Sequence, residues 1–253
     1  MKQINEKLLD KKYFIFDIDG TLVDSMSMWN LVDQIAIFNL TGREVSEEEI
    51  KAFRDSVLYH ISNISGDIYT LFYASVIEQY GLGVTVEEYQ NLRHDNADML
   101  SVNAVDFKPG AGEFLQILKQ LGKKIGIATT TTKPQLELYS ERNKNMPQKA
   151  NLNKIADAIV ACEDVTLKKP HPEAYLKVVE KLGAKPHECI VFEDSINGVI
   201  AAKEAGLEVC AVYDKTAAAE QDLINKVVDF KIDSFDELIK VLGLENLQAR
   251  GKE

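Results

Sequence analysis

The chain has 253 residues, 45% of them hydrophobic, which is enough to bury one large core together with a smaller second domain. Forty acidic residues against twenty-nine Lys and Arg leave a formal charge of −11. That balance argues against nucleic acid or an anionic membrane surface as a partner, since both recruit basic patches. An anionic ligand would need a locally positive site, made by a metal ion or a few well-placed lysines.

The opening segment MKQINEKLLDKK lacks the apolar stretch of a secretory signal, and nowhere do eighteen apolar residues run together. The expectation is a soluble, cytoplasmic protein, and a monomer. Cys162, Cys189 and Cys210 fall in or beside apolar runs with no CxxC spacing, so they read as reduced, buried thiols.

In chain order, the first strand-like run is YFIFD, Tyr13–Asp17. The stretch that follows carries four helical patterns and no comparable strand: MWNLVDQIAIFNL, SEEEIKAFRDSVLYHI, GDIYTLFYASVIEQYG and TVEEYQNLRHDNADML. An interval of roughly eighty residues is far beyond an ordinary crossover, so residues 26–104 read as a helical domain inserted after strand one. Beyond it, the runs KIGIAT (Lys124–Thr129), AIVA (Ala158–Ala161), CIVFE (Cys189–Glu193) and VCAV (Val209–Val212) are short and largely β-branched or aromatic. Amphipathic stretches flank or separate them: GEFLQILKQLG, PEAYLKVVEKLG and NGVIAAKEAG, each closed by a glycine suited to a helix C-terminus. Strands alternating with helices predict an α/β fold, a parallel sheet covered on both faces, built from residues 1–25 and 105–253. Such sheets bind ligands at the carboxyl ends of their strands.

Four of those strand ends carry chemistry. The first reads FIFDIDGTLVDS, with Asp17 closing the strand, Asp19 two residues on, where strand periodicity would aim it to the same side, and Gly20 allowing a sharp turn. Carboxylates so close to a buried strand end are costly unless something pairs with them. One can attack phosphorus, and the other can hand a proton to the leaving group and later take one from water. The second, IATTTTKPQ, offers Thr129 and Thr130 just before a helix start, a hydroxyl and free N–H groups that can cradle phosphate; by itself it reads better as a helix cap with Pro134 in the first turn. The third, KKPHPEAY, holds Lys169 on a stiff, proline-flanked segment that can aim an ammonium group. The fourth, VFEDSINGV, adds Glu193 and Asp194. Clustered carboxylates repel unless a cation joins them, and an oxygen-only set without histidine selects Mg²⁺. His60, His94, His171 and His187 are scattered; His171, in the KKPHP turn, could line the site but reads better as an exposed turn residue. No GxxxxGK[ST] or GxGxxG is present.

DIDGT, the strand-end Thr129, the Lys169–Pro170 pair and the Glu193–Asp194 pair together resemble the four motifs of the haloacid dehalogenase-like superfamily. DGTLVDS followed by a helical insertion is similar to the branch that holds phosphoglycolate phosphatases and β-phosphoglucomutases. The resemblance spans about Tyr13 to Val212 and implies a Rossmann-like core with an inserted, all-helical, mobile cap that closes over the substrate. It implies Asp17 as nucleophile and Asp19 as general acid/base. It also implies Mg²⁺ held by the Asp17 carboxylate, the Asp19 backbone carbonyl and Asp194, with Glu193 as direct or indirect ligand, and Thr129, Thr130 and Lys169 on the phosphoryl group. Dehalogenases and phosphonoacetaldehyde hydrolases lack the second aspartate, so Asp19 speaks against both. β-Phosphoglucomutases carry a histidine ten residues after that aspartate and a glycine loop with an arginine in the cap; here the positions read Trp29 and FRDSVLYHIS. The expectation is therefore an Mg²⁺-dependent phosphatase of a small phosphorylated metabolite, a sugar or polyol phosphate. A phosphosugar mutase and a non-catalytic binding protein are the alternatives, the latter disfavoured by the complete motif set. Arg43, Arg54 and His60 are the polar residues of the insertion that offer themselves to a substrate, though each reads as well as a solvated helix residue.

Overall fold

The computed structural model describes residues 7–61 and 68–248, apart from the side chains at 55, 58–61, 68 and 69. The chain divides into two compact units, Met1–Met26 with Val105–Glu253, and Ser27–Ala104.

The larger unit is built on a six-stranded sheet: β1 Tyr13–Phe16, β2 Lys124–Ala128, β3 Ala158–Val160, β4 Cys189–Glu193, β5 Glu208–Val212 and β6 Phe230–Ile232. The spatial order is β3-β2-β1-β4-β5-β6, and every pairing is parallel. The fold is thus α/β, as the alternation of runs predicts. Three strands stop one residue earlier than their apolar runs suggest, so Asp17, Thr129 and Ala161 lie just past the ladder. β6 was not visible in the sequence: Phe230-Lys231-Ile232 is three residues with a charge in the middle, too short to show a pattern.

Alternation along β1 explains why both faces are covered. Phe14 and Phe16 point to one side, where they meet Phe192 of β4, Phe114 of helix α5 (Ala111–Gln120) and Phe235 of helix α8 (Phe235–Val241). The Phe16 and Phe192 rings stack at 4.9 Å, and Phe114 stands edge-on to Phe14 at 6.1 Å; such pairs add about 0.5–1.5 kcal/mol each beyond their buried area. Ile15 points the other way, into a cluster with Val191, Val209, Tyr175 and Val178 of helix α6 (Glu173–Leu182), and Val199 of helix α7 (Ile196–Glu204). The three cysteines are free; Cys189 and Cys210 are buried, whereas Cys162 is only half-buried.

Among its described residues the smaller unit is helical: α1 Met28–Thr41, α2 Glu47–Ile61, α3 Ile68–Tyr80 and α4 Val86–Asn103. Thr85 and Glu88 close a reciprocal capping box at the start of α4. The apolar residues Ala36, Ile37, Ile50, Val76 and Tyr89 pack together, and among them lies one fully buried carboxylate, Asp33 of α1. It accepts from Tyr89 Oη (2.8 Å) and Arg93 Nε (2.5 Å) of α4 and is ion-paired with Arg54 of α2. Arg54 is therefore not a solvated residue. It is held by Asp33 and by the Trp29 carbonyl (2.7 Å), because a buried carboxylate draws in whatever cations reach it. Arg43 is exposed, paired with Glu49 at 2.7 Å, and the His60 side chain lies outside the described residues. The Arg93 guanidinium lies 5.4 Å from the centre of the Trp29 ring. Among the described residues no helix is long and apolar enough to cross a membrane.

Candidate active site

β1 lies at the centre of the sheet, and the strand order reverses beside it, which makes its carboxyl end the switch point where parallel sheets bind ligands. Asp17 leaves β1 there, its N–H still bonded to Phe192 O at 3.1 Å. The chain then turns sharply: Ile18 O accepts from the N–H groups of Thr21, Leu22 and Val23, and Gly20 N donates to Val23 O. Gly20 has φ +86°, and a Cβ there would stand 2.3 Å from Asp194 Oδ2. Only glycine serves, both for the left-handed backbone and for the close approach of the Asp194 carboxylate to the loop. Thr21 Oγ1 donates to Asp194 Oδ1 at 2.6 Å and fixes that carboxylate from the same loop.

Glu193 ends β4 and is 1% exposed. Both of its oxygens are engaged. Oε1 accepts from Lys169 Nζ (2.6 Å) and Tyr175 Oη (2.9 Å), and Oε2 from the backbone N–H groups of Asp194 (2.9 Å) and Ser195 (3.1 Å) and from Ser195 Oγ. The carboxylate sits against the first turn of α7, where a Cβ on Gly198 would come within 1.7 Å of Oε1. Lys169 Nζ donates in addition to Asp17 Oδ1 (2.7 Å) and Ala128 O (3.0 Å), and lies over the Tyr175 ring at 4.8 Å. Lys168, its neighbour, is exposed.

Asp17, Glu193 and Asp194 are all buried and offer one oxygen each within 4.8 Å of one another. Three carboxylates crowd together, and one ammonium answers two of them, Asp17 and Glu193. The consequences show in their protonation. Burial pushes Asp17 up to about 7, with Glu193 and Asp19 pushing the same way and Lys169 resisting. Burial also drives Asp194 well up, helped by Glu193 and Asp17 and opposed by Thr21 and Lys108. Lys169, although burial alone would lower it, is held well above the ordinary lysine value by Asp17 and Glu193. A cluster of excess negative charge with hard oxygen donors fits a divalent cation.

The structure treats Asp19 differently from its neighbour. The ladder of β1 ends at Phe16, so Asp19 lies in the turn beyond it, near enough for its charge to act on Asp17. Its carboxylate lies outside the cluster and is met by Ser25 Oγ, Thr131 Oγ1 and Tyr139 Oη. Thr129 is buried, its hydroxyl 2.8 Å from Thr131 Oγ1, while Thr130 is exposed. The helix cap foreseen near Pro134 is Thr132, whose side chain accepts from Gln135 N. His171 is an exposed turn residue whose Nδ1 accepts from Glu173 N at 3.2 Å. Sequence reasoning missed Thr21, Ser25, Thr131, Tyr139 and Tyr175. Ser25 and Thr21 stand in the first motif itself, Thr131 in the quoted threonine run and Tyr175 at the end of the third motif; nothing local marks Tyr139.

Residues 11–206 match the family model described as a haloacid dehalogenase-like hydrolase. The chain belongs to this family. Among curated relatives, YhcW of Bacillus subtilis strain 168, provisionally named a phosphatase, is 29% identical over 94% of this chain and 99% of its own length. The pyrophosphatase PpaX of Bacillus cereus strain AH820 is 28% identical over 90% of this chain and 95% of its own. Among solved structures, a Thermotoga maritima protein provisionally named a β-phosphoglucomutase superposes with a TM-score of 0.71 at 25% identity, covering 92% of this chain and 98% of that one. The chain is thus an enzyme of the haloacid dehalogenase-like hydrolases, of phosphatase type.

Proposed function

We infer that this phosphatase hydrolyses a small phosphorylated metabolite, a sugar or polyol phosphate, through a phosphoaspartyl intermediate on Asp17. The observation that carries the reading is the meeting of Asp17, Lys169, Glu193 and Asp194 at the switch point of a parallel sheet. Asp17 is the nucleophile: Lys169 takes its Oδ1, and among the described residues no hydrogen bond reaches Oδ2, which is left to attack phosphorus. As the Asp17 O–P bond forms, the bond to the leaving oxygen breaks and Asp19 delivers a proton to that oxygen. Asp19, now a carboxylate, takes a proton from water as water attacks phosphorus, and the Asp17 O–P bond breaks to release inorganic phosphate. Lys169, Thr129 and the Thr130 N–H hold the phosphoryl oxygens through both steps.

Asp17, Asp194 and the Asp19 carbonyl would hold Mg²⁺, with Glu193 holding Lys169 and the loop after β4 in place. The ion, when bound, supplies positive charge against the carboxylates and the phosphoryl group. We read the helical unit 27–104 as the family's cap and substrate choice as its task. A mutase is the second reading, favoured by the Thermotoga maritima neighbour; Trp29 at the position of the mutase histidine speaks against it, since an indole shuttles no proton.

The test is phosphate release from a panel of sugar and polyol phosphates, with inorganic pyrophosphate included because a relative bears that name, in Mg²⁺ and in EDTA. Turnover of a sugar or polyol phosphate to inorganic phosphate, lost in EDTA, is expected. Interconversion of β-glucose 1-phosphate and glucose 6-phosphate with little phosphate released would give the mutase reading instead.

A further inference from the structure

Asp19 is gripped by hydroxyls from three places. Ser25 Oγ donates to Oδ1 at 2.6 Å, Thr131 Oγ1 to Oδ2 at 2.5 Å, and Tyr139 Oη to Oδ1 at 2.9 Å. The first two come from the loops that follow β1 and β2. Tyr139 comes from further off and is held in another way. The short helix Lys133–Glu137 widens into a π turn, Leu138–Arg142, closed by Asn143 N on Leu138 O at 2.7 Å. Asn143 is itself pinned: its Nδ2 donates to Val105 O, and its Oδ1 accepts from the N–H groups of Asn145 and Met146, all at 2.8 Å. Single π turns inside helices are rare and concentrate at functional sites.

Tyr139 is 1% exposed, so a large ring is packed on all sides with its one polar atom placed on the Asp19 carboxylate, where it also meets the Ser25 and Gln135 side chains. Ser and Thr hydroxyls swing about a single bond to follow an acceptor. A phenol on a packed ring does not, so it determines where the carboxylate comes to rest.

We propose that Tyr139 is a positioning residue for Asp19, holding the acid/base carboxyl in place through one hydrogen bond. The proposal rests on the reading of Asp19 as the acid that protonates the leaving group. Its effect belongs to the step in which the leaving oxygen takes a proton, and it should scale with how much that oxygen needs one.

The test compares kcat/KM, which stops at phosphoryl transfer to the enzyme, for phenyl phosphate and p-nitrophenyl phosphate. The two have nearly the same shape, but phenolate is much the poorer leaving group. Tyr139→Phe removes only the hydroxyl. It is expected to lower kcat/KM roughly tenfold for phenyl phosphate, the size of one hydrogen bond to a charged group, and to change it little for p-nitrophenyl phosphate. In an Asp19→Asn background Tyr139→Phe should cause no further loss on either substrate. Ser140→Ala is the control on the same turn: its hydroxyl is buried without a partner among the described residues, and both substrates should be unaffected. An equal loss on both substrates, no loss at all, or a loss that persists in the Asp19→Asn background would overturn the role of Tyr139 and leave Asp19 as the acid. If Asp19→Asn itself shows no preference between the leaving groups, the acid/base reading falls, and the role of Tyr139 with it.

Discussion

Asp17 and Lys169 are each other's counter-ion at 2.7 Å, both almost wholly withdrawn from water, and this sets what single substitutions should do. Asp17→Asn keeps the shape and a hydrogen bond to Lys169 but cannot attack phosphorus. Turnover should vanish while the thermal unfolding curve stays cooperative. Retained turnover in a protein sequenced and found free of reversion would remove Asp17 as nucleophile. Lys169→Ala should weaken inhibition by inorganic phosphate and slow turnover strongly, because it also leaves Glu193 Oε1 with Tyr175 as its one side-chain donor among the described residues. Lys168→Ala should do little, since that side chain is exposed. Equal effects at the two positions would show that the ammonium in use is not that of Lys169.

At the scale of elements, two carboxylates act as fasteners. Asp33 ties α1 to α2 and α4 through Arg54, Tyr89 and Arg93. Asp33→Ala leaves two guanidinium groups and a phenol without their shared acceptor in a buried place. A loss of about 3–5 kcal/mol is expected, the usual cost of breaking a buried pair from one side, measured by denaturant unfolding. A loss below about 1 kcal/mol would mean that water replaces the carboxylate. Asp157 fastens the start of β3 to β2: it accepts from Ile125 N, Lys119 Nζ and Lys124 Nζ, each at 2.9 Å. Although burial works to raise it, these partners lower its carboxyl from 3.8 to about 2. A depressed acid contributes stability that is present above the unfolded value and lost as pH falls through the folded one. The gap in melting temperature between the protein and Asp157→Asn should thus be constant above about pH 4 and close towards pH 2. A gap that widens on acidification would contradict the assignment.

At the scale of the whole molecule, stability and the metal are linked. Asp17, Glu193 and Asp194 are drawn together by the pairing of β1 with β4, so the folded state carries a repulsion that the unfolded chain does not. A cation bound only by the folded state stabilises it by mass action. Millimolar Mg²⁺ should raise the melting temperature of EDTA-treated protein, and Asp194→Asn should blunt the rise. An unchanged melting temperature together with full activity in EDTA would sink the metal assignment.

The chain by itself determined the class of fold, and its pattern set residues 26–104 apart as helical and marked four strand ends with polar motifs. These are properties of local pattern: an apolar run of strand length, a glycine where the backbone must turn, a proline beside a lysine. It did not reveal β6, because three residues with a lysine between two apolar ones carry no period. Nor did it show which partner each side chain takes. Register decides that. Phe16 pairs with Phe192 and with Ile127, so Asp17 is brought level with Glu193 on one side and Ala128 on the other, and Lys169 reaches all three; a slip of one residue would turn every side chain of β1 to the opposite face. The partners of Asp19 were not legible either, since Tyr139 lies 120 positions away on a turn with no sequence signature. Arg54 reads as a surface residue on its own helix and becomes the half-buried counter-ion of a buried carboxylate only when α1 sets Asp33 beside it. A carboxylate two turns into an amphipathic helix is polar in any sequence pattern; packing alone decides whether water or an arginine answers it.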